Sequence, residues 1–213
     1  MTRPGAPLSR LFGRAMELVL TGAEGNTDEK VLDAALTVLA DRGTKLATMD
    51  DIADASGTSR ATLFRRFGGK DRLFEIALTR ELRRFLGAIT TTFRTVTDPT
   101  DRIAEAFVAC LALRRRFLTS QPSRERGWEL LSLLDQGDPA PLEIAHRFIT
   151  ARIVAGQDEG TLPGGDPEIR AEAILRLTLG YLLVPSTLID LDDRDAARDL
   201  ARRTIAPLAT GPL

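Results

Sequence analysis

The 213-residue chain carries 29 basic and 30 acidic residues, and a net charge this close to zero points by itself to no charged partner. A single cysteine, Cys110, and a single histidine exclude an internal disulfide framework and a Cys/His metal set, and they fit a reducing cytoplasm. No run of about 18 apolar residues occurs and no charged-then-apolar leader opens the chain, so neither a membrane span nor a signal peptide is expected.

Residues 1–8, with two prolines, a glycine and Arg3, read as a mobile tail. Ser9–Leu20 has the pattern of a short helix, and Thr21–Thr27 reads as a linker. A helix is predicted from Thr27 as N-cap, with Asp28 and Glu29 at its positive end, Val31, Ala35, Leu36 and Leu39 as its buried stripe, and Gly43 as its stop. Thr48 then caps a helix of about two turns in a capping-box-like pair with Asp51, with Ile52 and Ala55 facing inward. Ala53 is small enough for a second helix to cross closely, and Gly57 stands where the chain must turn sharply. Ser59 or Thr58 caps the next helix, which Leu63 and Phe67 anchor to the core.

The remaining face of that helix offers Ser59, Arg60, Thr62, Arg65 and Arg66. Its length, roughly 13 Å at about 1.5 Å per residue, matches a major groove about 12 Å wide. Small residue, turn glycine and apolar residue at Ala53, Gly57 and Leu63 form a helix-turn-helix spacing. Between Thr58 and Arg72, five basic residues face Asp71 alone, so positive charge gathers where phosphates would lie. The plain structural alternative for Arg66 is pairing with an acid such as Asp50 or Asp54.

Beyond Gly68-Gly69 the chain reads as helices throughout. Phe74, Leu78, Leu82, Phe85, Ile89, Phe93 and Val96 recur at helical spacing. Further helices are predicted from Thr100, over Ser123–Leu134, from Pro139–Pro141 to Gly160, over Asp166–Ile189, and from Asp193 to Leu208. No stretch alternates with period two, so no sheet is predicted and the fold class is all-α.

Val31–Leu78 resembles the N-terminal domain of the tetracycline-repressor (TetR) family of transcriptional regulators. Its motifs stand in order: a helix ending in "RG", then T-x-x-x-I-A-x-x-x-G, S-x-x-T-L-[FY]-x-x-F and G-x-K-x-x-L. Beyond these 48 residues the chain matches only in length and helicity. The resemblance implies an extension over 1–24, a three-helix DNA-binding domain over 25–72, and a helical ligand-binding and dimerisation domain over 73–213. It implies that Thr48 holds a phosphate and that Ser59, Arg60 and Thr62 face base edges or phosphates. Arg65 and Arg66 would flank the groove, with Arg65 in reach of a guanine, and Lys70 would grip the backbone beside a helix N-terminus. Phe64 belongs to the same face, although the family usually has tyrosine there and the phenolic phosphate contact is lost. Thr58 replaces a common aliphatic residue.

One short recognition helix makes too few contacts for selective binding, so two copies on a two-fold axis are expected to read a near-palindrome. Two C-terminal stripes are the dimer candidates: Ala173, Leu177, Gly180 and Val184, and Ala197, Leu200, Ala201, Thr204 and Leu208. Their alternative is to complete each subunit's own core. Phe107, Cys110, Leu111, Phe117, Trp128, Leu131, His146, Ile149 and Tyr181 are candidates for a pocket taking a small hydrophobic or amphipathic effector. The implied protein is cytoplasmic, needs no metal or cofactor, and represses transcription until its effector binds. An enzyme is disfavoured, because "GTLPGGDPE" lacks a phosphate-loop lysine and Asp192-Asp193 reads as helix-start charge. The remaining alternative is a helical protein-interaction module.

Overall fold

In the computed structural model, residues 8–20, 28–117, 134, 140–184 and 186–212 are described. Among them every regular element is a helix, in accord with the all-α expectation. The tail, the linker, Thr27 as a cap and most of the helix predicted over 123–134 lie outside the described residues. The chain divides into two compact units, Met1–Phe85 with Arg115–Gln136, and Leu86–Arg114 with Gly137–Leu213.

The first unit contains α1 (Leu8–Leu20), α2 (Glu29–Leu46), α3 (Met49–Ser56), α4 (Arg60–Phe67) and the first part of α5 (Lys70–Thr95). The buried side of α2 includes the predicted Val31, Ala35, Leu36 and Leu39, widened by Leu32 and Val38. Gly43, at φ +67°, breaks the helix before a last short turn to Leu46. Ile52, Leu63, Phe67, Phe74 and Leu78 close the same core. Ala55, expected inside, is exposed, and Ser56 and Met49 are buried instead. Three-residue steps from Met49 through Ile52 keep one face inward in a helix this short, and Ala55 has already rotated off it. The helix α1 is part of this unit: Leu11 and Ala15 are fully buried, and Arg83 on α5 donates to the Leu18 carbonyl at 3.0 Å.

The second unit contains the end of α5, most of α6 (Pro99–Phe117), α7 (Pro141–Asp158), α8 (Pro167–Leu183), α9 (Arg194–Thr204) and a short α10 (Pro207–Thr210). Its core joins Phe107 and Leu111 of α6, Ile153 of α7, Ala171 and Ile174 of α8, and Ala197, Leu200 and Ala201 of α9. Leu162 folds back against Gly156, where an added Cβ would meet it at 2.7 Å. The buried Arg170 donates to the carbonyls of Gly164, Leu208, Ala209 and Gly211, tying the end of the described chain to α8. The outer face of α9 is charged: Arg198 and Arg194 reach Glu105 on α6 at 2.5 and 3.0 Å, and Arg202 reaches Asp101 at 2.7 Å. Burial alone would raise the Glu105 carboxyl, but its two arginine partners outweigh that and hold it below the usual carboxylate range.

This packing bears on one expected dimer stripe. Ala197, Leu200 and Ala201 of the second stripe are buried in the protein's own core, whereas Thr204 and Leu208 are half-buried. A strongly amphipathic helix has one apolar face, and tertiary packing has spent it here.

Candidate nucleic-acid interface

The turn between α3 and α4 is built from local chemistry. The Thr48 hydroxyl accepts from the Asp51 N–H at 3.1 Å, and the Asp51 carboxylate accepts from the Thr48 N–H at 2.8 Å and its hydroxyl at 2.7 Å. These bonds, with Arg42 at 3.1 Å, hold Asp51 below the ordinary carboxylate range. Gly57 ends α3 in the left-handed region at φ +67°, so its N–H and that of Thr58 can close on Asp54 and Ala53. Ser59 caps α4, its oxygen accepting from the Thr62 N–H at 3.3 Å and its hydroxyl donating to Thr62 Oγ1 at 2.9 Å. A second left-handed glycine, Gly68 at φ +78°, ends α4.

This frame buries Leu63 and Phe67 and turns the rest of α4 outward. Ser59, Arg60, Phe64, Arg65 and Arg66 are exposed, and Thr62 is half-buried. Arg60 lies 5.4 Å from the Phe64 ring centroid and pairs with Asp50 on α3 at 2.8 Å. Arg66 lies 5.6 Å from the Phe67 centroid and pairs at 2.5 Å with Asp28, rather than with Asp50 or Asp54. Among the described residues the Arg65 side chain makes no ion pair or hydrogen bond. Lys70 has partners within the protein. Its ammonium donates to the carbonyls of Thr44 at 2.9 Å and Ala47 at 2.7 Å, satisfying the frayed end of α2 and leaving one hydrogen for any other partner.

Of the effector candidates, Phe107, Cys110, Leu111, His146, Ile149 and Tyr181 fall in the second unit. Phe107 and Leu111 are core residues, Ile149 packs at the core's edge, and Tyr181 meets Phe107 edge-on with ring centroids 5.9 Å apart. Cys110 is half-buried, and burial pushes its thiol up to about 12, so it is not a ready nucleophile. His146 Nε2 lies 3.3 Å from the Glu168 carbonyl. Trp128, Leu131 and the Phe117 side chain lie outside the described residues. Sequence reading missed Arg114, whose Nε is buried without a partner. Its position three, four and seven residues after Leu111, Cys110 and Phe107 was the available signal. Of the dimer candidates on α8, Ala173 and Leu177 are half-buried while Gly180 and Val184 are exposed; Thr204 and Leu208 are half-buried.

An outward basic helix, stapled to a capped helix by a glycine turn, defines a helix-turn-helix DNA-binding regulator. The family model described as bacterial regulatory proteins, tetR family, matches residues 31–77. The HTH-type transcriptional repressor LfrR of Mycolicibacterium smegmatis is 32% identical over 144 residues, spanning 62% of this chain and 70% of LfrR. The HTH-type transcriptional regulator Rv1255c of Mycobacterium tuberculosis is 27% identical over 192 residues, covering 85% of each chain. The TetR family regulator CifR, solved as a cysteine mutant on a 26-base-pair operator duplex, superposes with a TM-score of 0.59 at 20% identity, over 85% of this chain and 97% of that one. The chain belongs to the TetR family of transcriptional regulators. Among the described residues no helix is long and apolar enough to cross a membrane.

Proposed function

We propose that this regulator is a repressor that binds a palindromic operator as a homodimer and is released by a small hydrophobic or amphipathic effector. The observation that carries the reading is the outward basic face of α4 on a rigid cap-and-glycine frame. Ser59, Arg60, Thr62 and Arg65 read the groove. Thr48 and Arg66 address phosphates, and Phe64 lends its ring to Arg60. Lys70 serves first as a positioning residue that locks α5 to the end of α2 and so sets where α4 stands.

The dimer surface in this reading is the solvent face of α8. Ile169 in its first turn and Val184 at its C-cap are both 65% exposed, on either side of Ala173 and Gly180. The effector would lie against Phe107, Cys110, Leu111, His146, Ile149 and Tyr181 of the second unit. The unpartnered Arg114 Nε favours an amphipathic ligand with an anionic group. The effector acts only through different affinities for two spacings of the recognition helices, which α5 would transmit. The domain division that serves this reading is an extension over 1–24, a DNA-binding domain over 25–72 and a regulatory domain over 73–213.

Selection of bound duplexes from a random pool tests the proposal. The expected product is an inverted repeat, with Arg65→Ala relaxing preference at one position of each half-site at a cost of about 1–3 kcal/mol. Non-symmetric sites would overturn the dimer reading, and no selected sequence would favour a protein-interaction module.

A further inference from the structure

The recognition helix meets a carboxylate before it meets DNA. Arg66 pairs with Asp28 at 2.5 Å, and the two side chains are only 39% and 24% exposed. Asp28 occupies the N-cap position of α2, yet its side chain makes no capping hydrogen bond, so its carboxylate is given to the arginine. A carboxylate presents oxygens to a guanidinium much as a phosphate does. By contrast the Arg60–Asp50 pair is 58% and 59% exposed, open to water and salt.

Asp28 is also held in place. Its neighbour Glu29 accepts from Arg80 at 2.9 Å and pairs with Arg84. Arg80 in turn reaches Asp33 at 2.6 Å and the buried Glu81 at 2.9 Å, and Arg84 reaches Glu81 at 2.9 Å. The first turn of α2 is thereby lashed to α5.

We propose that Asp28 is a built-in competitor for the DNA backbone: it occupies Arg66 in the free protein, a phosphate must displace it on binding, and the Glu29–Arg84 tie sets how firmly it competes. This inference rests on the DNA-binding reading of α4. It gives the protein a low affinity for random duplex, because one cation of the recognition helix is neutralised until the fit is close enough to pull it away.

The test uses the full-length protein and a fluorescent duplex of random sequence, with affinity measured from about 50 to 200 mM salt. In the proposal Asp28→Asn binds about threefold tighter or more at the low-salt end, and its log–log salt slope steepens by about 1. Arg84→Met gives a smaller gain in the same direction and adds nothing to the gain of Asp28→Asn in the double variant. Asp28→Ser, which keeps a capping residue, reproduces the gain if the asparagine variant melts early. An unchanged or shallower slope in a folded Asp28 variant overturns the proposal, and full additivity with Arg84→Met overturns the role of the tie. Should the wild type bind neither random duplex nor any selected sequence, the DNA-binding reading itself fails, a result distinct from wild-type binding that Asp28 leaves unaltered.

Discussion

Asp51 shows how much a single side chain settles. It closes a reciprocal cap with Thr48 and faces Arg42, and those partners keep it ionised below the usual carboxylate range. Its folded-state value is lowered, so the stability it contributes is present above the unfolded carboxylate value and is lost as pH falls through the folded one. Urea unfolding should show Asp51→Asn less stable than wild type at neutral pH, with the gap closing below the ordinary carboxylate range. A gap that persists undiminished in acid would contradict the role. Thr48→Ala should cost about 1 kcal/mol at neutral pH in the same measurement. Both residues were legible because a capping box is written within four positions. The Arg66 partner was not: Asp28 lies 38 residues away, and nothing in local spacing selects it over Asp50 or Asp54.

Among the elements, the α3–α4 turn and the first helix shape the DNA-binding unit most directly. Gly57 at φ +67° makes the α3–α4 corner, and a side chain there is strained whatever room surrounds it. Gly57→Ala is expected to lower stability by about 1 kcal/mol or more and to weaken duplex binding together with it, seen by paired melting and binding measurements. The helix α1 matters in a different way. Leu11 and Ala15 are buried, and Arg14 pairs with the buried Glu75 at 2.8 Å, so this helix completes the core of the DNA-binding unit. Leu11→Ala should destabilise by between about 2 and 5 kcal/mol, and a loss near zero would show that α1 is dispensable. Its helical spacing was readable in the sequence, but its docking was not, because a short amphipathic helix does not name the surface that covers it.

For the whole molecule, the arrangement of apolar faces decides which surface can meet a second copy. Ala197, Leu200 and Ala201 on α9 are buried within the protein, whereas Ile169 on α8 and Val184 at its C-cap remain in water. If the proposed dimer forms through this face, the Val184→Asp and Ile169→Asp substitutions should shift it toward monomer in sedimentation and weaken operator binding, with little change in melting of the monomer. Retention of the dimer in the double variant would exclude this face. Gly180 between them adds no side chain to hold two helices apart.

The sequence alone determined the helical class, the capped helix and glycine corner, the family, and the outward arginine face, because each depends on contacts within a few residues or on a motif of fixed spacing. Tertiary structure alone decided the fate of the long-range charges and of the spare apolar stripes. It assigned Arg66 to Asp28, turned Lys70 toward the carbonyls of α2, buried Arg170 among four carbonyls, and sank the apolar face of α9 in the core. The reason is physical: an arginine or an apolar stripe states what kind of partner it needs, and only the packed chain determines which one comes within reach.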